Sequence, residues 1–300
     1  MNYFEQYSEI TAELIDSLLE DAYEDDVIFD NLLSDIQDYI IEDIIDEVNL
    51  LEEEKLLYLD QPNKVEEHPA AFLKVKELEN KISQKYLEQL RIGYQVITEQ
   101  ALCKAYRNSM LKTFEIFSTF NKHYNDMTSQ LSAQAKIQIT DTYIINTILP
   151  IPWCQDGKIY SQRIYGHMAQ FQQKLNYVLE EGIRNGKGQE WMIWAWRKLS
   201  HTTASEAARL IKTETVAMWS QATKTAYQQM GIEYVEIIGD AACGAICTDY
   251  VGDVLLLSDA ELGDELPPYH PNCACSYIAY TDVSPEEDDL EYGYEEVDDE

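Results

Sequence analysis

The chain has 300 residues, enough for one large domain or two modest ones, and its 45% hydrophobic fraction is ordinary for a globular core. Its formal charge of −33 disfavours sequence-independent nucleic-acid binding, which rests on neutralising phosphates with a basic patch. No apolar run approaches the roughly 18 residues of a membrane span, and Met1-Asn-Tyr-Phe-Glu-Gln has neither the basic nor the apolar region of a secretory signal.

The charge is uneven. Residues 1–60 hold 20 acidic side chains and one basic, Lys55; residues 281–300 hold 11 acidic and none basic. The stretch between them is nearly neutral. Acidic ends suit basic protein partners, or keep a chain soluble and self-repelling; mimicry of DNA is a sharper reading of the same feature. Within residues 1–60, Tyr3, Tyr7, Ile10, Leu14 and Leu18 form one helical stripe, and Ile36, Ile40, Ile44 and Val48 form a second. These acidic amphipathic helices lack the Glu–Lys pairs that support an isolated helix, so each needs a partner. The partner is either another subunit or the chain's own helices.

Gln61-Pro62-Asn63 breaks the pattern and His68-Pro69 restarts it. From Ala70 to Leu149 there is no proline and a single glycine, Gly93. Phe72, Val75, Leu78, Ile82, Tyr86, Leu90 and Tyr94 step by three or four. Residues 61–150 therefore read as a long helical body, broken near Asn121–Thr128. Pro150-Ile-Pro152 ends it, Trp153 to Gly157 is a turn, and a helical core occupies 151–232. In that core a helix runs from Tyr160 to about Ile183. A second covers Gln189–Leu199, with Trp191 and Trp194 sharing a core face. A cap and loop follow at His201–Glu206, and a third helix passes through Arg209 and Glu214 to Met230. After Gly231 the period changes to two. Strands are expected at Glu233–Ile238, after the Gly252-Asp253 turn, and at Ser276–Tyr280. The acidic tail 281–300 has the composition of a disordered segment.

Residues 233–280 form a small β module rich in cysteine and histidine. Four of the six cysteines fall between Cys243 and Cys275. Zinc takes four N or S ligands at tetrahedral corners, and ligands close in sequence supply two corners together. Cys243-x3-Cys247 offers one pair; His270-x2-Cys273-x-Cys275 offers three more candidates. Five candidates for four corners leave the ligand set open. Reduced structural thiols, or a disulfide or redox role, are the competing readings. A chain without a secretory signal is expected in a reducing compartment, where thiols and metal ligands outnumber disulfides. The stretch 233–280 contains no lysine or arginine, which argues against a nucleic-acid-binding zinc module.

Enzymatic readings lack their motifs. A zinc deaminase needs a His-x-Glu before its cysteine pair, and the sequence has none. It also lacks His-Glu-x-x-His, a P-loop, Gly-x-Ser-x-Gly and a Cys-x-x-Cys pair. His123, His167 and His201 are isolated, Cys103 reads as a packed thiol, and Cys154 lies in a turn.

Read together, these elements resemble the phage minor head protein family, also called Mu F-like or phage head morphogenesis proteins. The resemblance covers roughly Trp153 to Ile278. It rests on Tyr160-Ser-Gln-Arg163-Ile and on Ala208-Arg-Leu-Ile-Lys-Thr213-Glu214. Ala226-Tyr-x-x-x-Gly231-Ile and Asp240-Ala-Ala-Cys243 follow, and then the closing Pro267-Pro-x-His270-Pro-Asn-Cys273-x-Cys275. Lys212 and Ala274 stand where the family usually has arginine, and the first cysteine pair is one residue longer than the family's common spacing. The periodicities read as mainly α with a small α+β C-terminal module; the resemblance implies a non-enzymatic minor capsid component present in few copies. It implies association with the portal protein, and with scaffold or major capsid protein, during procapsid assembly. It also implies an effect on DNA packaging or ejection, and a place in the virion at the capsid interior or portal vertex, after assembly in the host cytoplasm. The alternative is a phage-encoded enzyme or toxin-like effector with a structural zinc module, although the stretch after Tyr280 is too short for an appended enzymatic domain.

Overall fold

A computed structural model describes residues 31–46, 48–50, 69–120, 136–184, 187–239, 245–271 and 273–280. The stripe at 3–18, the expected break at Asn121–Thr128, Cys243 and the tail 281–300 lie outside the described residues.

The first helix, α1, covers residues 31–46, and residues 48–50 are helical again. Its expected stripe is inside: Ile36, Ile40, Ile44 and Val48 are all buried, joined by Leu33. The partner that these residues need is the chain itself. Trp196 Nε1 donates to Gln37 O at 3.4 Å. Asp43 accepts from Tyr86 OH at 2.8 Å and from Lys81 Nζ at 3.0 Å.

The helical body is α2 (Pro69–Ile82), a π-helical turn (Ser83–Leu87) and α3 (Glu88–Phe120) in direct succession. The stripe explains the π turn. From Leu78 to Tyr94 the buried residues recur every four positions, which overshoots the α-helical 3.6 by about 40° per step. A wider turn takes up that drift and keeps Tyr86, Leu90 and Tyr94 on the core side. A second π-helical turn, Ile144–Ile148, follows a short helical turn that is capped when Thr140 Oγ1 accepts from Tyr143 N at 3.3 Å.

Helix α4 (Tyr160–Arg184) buries Ile164, Met168, Phe171, Leu175, Leu179 and Ile183 along one stripe. The next helix, α5, runs unbroken for 42 residues from Gly188 to Gln229. The expected loop at His201–Glu206 is therefore helical. No glycine or proline interrupts this stretch, and its hydroxyls bond back into the helix rather than capping a new one. Ser200 Oγ donates to Trp196 O, Thr202 Oγ1 to Lys198 O, Thr203 Oγ1 to Leu199 O and Ser205 Oγ to His201 O, at 3.0 to 3.2 Å. The tryptophans also fall differently from expectation. Trp196 is fully buried, with its ring centroid 5.2 Å from that of Phe171, whereas Trp194 is 58% exposed and Trp191 half-buried. The inward row is Met192, Trp196, Leu199, Thr203, Ala207 and Leu210, a clean three-four spacing that leaves the other two indoles to one side.

Helix α3 lies beside α5. Tyr94 OH reaches Ala207 O at 3.4 Å and Ser109 Oγ reaches Trp219 O at 3.1 Å. Gly231, with φ of 71°, ends the helix, as its place in the sequence predicts. Strands β1 (Tyr234–Ile238), β2 (Val254–Leu256) and β3 (Ser276–Ala279) form an antiparallel sheet in the order β2-β1-β3. Val235 and Ile237 face the core, and Tyr277 packs edge-on to Tyr227 of α5 at 6.2 Å while its hydroxyl donates to Ser220 O. The architecture is mainly α with a small C-terminal sheet, as expected.

Candidate metal centre and the cleft beside it

A short helix, α6 (Ala245–Tyr250), presents Cys247, which is fully buried. The connection from β2 to β3 brings the other ligands. It closes a turn through Gly263 N–H to Leu266 O at 2.8 Å, then passes Pro267, Pro268 and Tyr269 to His270. Cys273 N–H donates to His270 O at 3.1 Å, which folds the two side chains toward the same point. Cys247 Sγ stands 3.0 Å from His270 Nε2 and 3.8 Å from Cys273 Sγ. One ligand atom from each of these three residues lies within 4.8 Å of the others. His270 Nδ1 is 2.8 Å from Pro271 O, so Nδ1 carries the proton that the carbonyl accepts. With Nδ1 engaged by a carbonyl, Nε2 is the ring nitrogen turned toward the thiols, the orientation in which an imidazole binds a metal.

Cys275 is buried in the same cluster as Cys247 and Cys273 but stands outside the mutually close three. The hydrogen bond between the Cys273 and Cys275 thiols lowers the pKa of Cys273 and raises that of Cys275. Cys243 lies outside the described residues. Of the five ligands expected from sequence, three thus converge, one lies against them, and one is undescribed. Two buried thiols and a half-buried imidazole, close together, are a donor set suited to zinc or another soft divalent metal. Cys103 sits apart, buried in the bundle, where desolvation pushes its thiol up to about 11.

Sequence reasoning passed over the group next to this cluster. Glu214 is 2% exposed on α5. Its Oε2 accepts from Trp153 Nε1 at 2.8 Å and its Oε1 from Arg163 Nη1 at 2.5 Å. Arg163 also donates to Asp156 Oδ1 at 2.7 Å and lies over the Trp153 ring at 5.1 Å. Burial raises the pKa of Glu214, against the pull of Arg163 and Trp153. The signal was present in the stripe: Glu214 falls between inward-facing Leu210 and Ala217, where only a partnered carboxylate fits. The module's loop rests on this knot. A Cβ at Gly263, whose φ is 78°, would stand 2.6 Å from Trp153 O. Between the knot and the Cys/His cluster lies a cleft of about 290 Å³, lined among others by His167, Arg209, Glu214, Tyr269 and His270. Burial lowers the pKa of His167, which favours its neutral form. Tyr269 stacks on Tyr250 at 4.5 Å and bonds Glu265 O at 2.9 Å, closing the floor over the cysteines.

The chain is a helical bundle that ends in a small antiparallel sheet, with a Cys-His-Cys group able to hold a metal. Residues 173–278, about a third of the chain, match the family model described as Phage Mu protein F like protein, consistent with a phage head morphogenesis family. No curated protein and no solved structure matches the chain. The matched stretch starts within α4 and ends in β3, so Glu214 lies inside it, whereas its partners Trp153 and Arg163 precede it. Among the described residues, no helix is long and apolar enough to cross a membrane.

Proposed function

We propose that the chain is a minor capsid protein of a tailed phage or prophage, working at the portal vertex while the procapsid assembles and remaining in the virion. The observation that carries this reading is the family match over 173–278. The role is architectural rather than catalytic, and the partners are other head proteins: the portal first, then scaffold or major capsid protein. The acidic residues 1–60 supply the contact with basic partner surfaces. A structural zinc held by Cys247, His270 and Cys273, with Cys275 or Cys243 as fourth ligand, ties α6 to the start of β3.

Co-purification of the full chain with portal protein tests the assembly role. Recovery with the full chain and loss in Asp35→Asn/Asp38→Asn/Glu42→Gln, which neutralises exposed acids of α1 and keeps its buried stripe, is the expected result; unchanged recovery with that variant overturns the contact. Metal analysis of protein purified without chelator tests the staple. About one zinc per chain is expected, lost in Cys247→Ser/Cys273→Ser; an intact fold without metal would make the cysteines buried thiols.

A further inference from the structure

The seam between α4 and α5 carries a groove that meets the inward row of α5 at Leu199. Its volume is about 530 Å³. Val178, Ala195 and Leu199 make the floor; Tyr177 and Trp194, 60% and 58% exposed, stand on opposite rims. Two ammonium groups frame it. Lys198 lies over the Trp194 ring at 5.4 Å, and Lys174, on the α4 rim, is 3.6 Å from Glu206. Among the described residues that line the groove, none is acidic. An apolar trough with aromatic rims and flanking cations is the mirror of an acidic amphipathic helix. From Trp194 to Thr202 it runs about 12 Å along α5, the length of two helical turns.

We propose that this groove seats the acidic stripe at the start of the same chain, residues 1–22. That stretch presents Tyr3, Tyr7, Ile10, Leu14 and Leu18 at helical spacing, holds six acidic residues and has no basic one. Glu9 and Glu13 immediately precede Ile10 and Leu14, placing carboxylates beside the apolar stripe where the groove has its lysines. The chain's course allows the reach. Leu32 of α1 packs on Gly93, and the neighbouring Tyr94 bonds Ala207, so α1 begins near the turn of α5 that follows Thr202. Residues 23–30 can span about 26 Å if extended, enough to pass round one helix of roughly 10–12 Å diameter. Seated this way, the stripe keeps its outer acidic face free for a basic partner. The inference stands on the groove and the charges and does not depend on the portal reading.

The test places the photo-cross-linker p-benzoyl-phenylalanine at Tyr177 in the full chain and maps adducts by mass spectrometry after irradiation. The expected product is a monomer with its adduct in residues 1–22. Lys198→Glu, which turns an attraction into a repulsion, is expected to lower its yield roughly fivefold at unchanged far-UV circular dichroism. Ile10→Asp/Leu14→Asp, at positions outside the described core, is expected to abolish it. Adducts confined to dimers, adducts in 281–300, or no adduct at all would each overturn the proposal.

Discussion

Arg163 and Glu214 meet across 51 residues of sequence with side chains only 14% and 2% exposed, and their ion pair joins the start of α4 to the middle of α5. A buried carboxylate that loses its cation is costly. Arg163→Ala should therefore lower unfolding free energy by about 3–5 kcal/mol. The joint replacement Arg163→Met/Glu214→Leu removes both charges and should cost markedly less. Urea unfolding of the two variants separates the cases, and a single-variant loss below about 1 kcal/mol would show that the pair is dispensable.

Asp43 makes the stability of the α1 clasp depend on pH. Burial opposes its charge, but hydrogen bonds from Tyr86 and Lys81, with the Lys81 and Lys85 ammoniums, outweigh that and hold its carboxyl below the usual value. Because the folded pKa is the lower one, the stabilisation is complete above the unfolded value of about 3.9 and disappears as pH falls through the folded value. Asp43→Asn should thus destabilise at pH 7, with the difference from the parent shrinking below pH 4. A difference that stays constant down to pH 2 would contradict the assignment.

The thiols should differ in reactivity. Burial holds Cys103 at about 11, so at pH 8 its thiolate fraction is roughly two hundredfold below that of a free cysteine. Iodoacetamide on the native protein should leave Cys103 unmodified until the bundle unfolds, which peptide mapping reads directly. Chelation should lower the melting temperature through the Cys247–His270–Cys273 group alone, leaving Cys103→Ser with the parent's response.

Gly263→Ala tests how the β2–β3 connection is seated. The new methyl would meet Trp153 O at 2.6 Å, on a backbone whose φ of 78° disfavours any side chain. A loss of about 2–3 kcal/mol is expected, with a change in tryptophan fluorescence as the Trp153 indole leaves Glu214. An unchanged spectrum and stability would mean that the loop relaxes freely.

Much of the fold was legible because it is written in periodicity. The stripes through Ile36–Val48 and Val75–Tyr94, the stop at Gly231 and the alternation at Tyr234–Ile238 all appear where spacing predicts. The misreadings have separate physical causes. Thr202, Thr203 and Ser205 look like capping residues in isolation, but a hydroxyl satisfies the helix's own carbonyls equally well when apolar neighbours hold it in place. Trp191 and Trp194 read as one core face from their spacing; Trp191 does pack half-buried against the core, but the row through Met192 and Trp196 faces inward and leaves Trp194 exposed. For the site, sequence proximity drew attention to the cysteines and His270. The Trp153–Arg163–Glu214 knot was harder to see because its members lie up to 61 residues apart and are drawn together only by the fold.

Helix α5 has a mechanical meaning. Its 42 residues make a rod about 63 Å long, with Trp196 locked into the bundle near one end and Tyr227 into the sheet near the other. Between Gly188 and Gln229 there is no hinge at which one end could swivel against the other. Because α3 lies beside it and bonds it at Ala207, Trp219 and Thr225, a push or twist on the sheet is shared between two helices. The pair acts as a braced beam that keeps the sheet and the Trp196 end of the bundle at a fixed distance and angle.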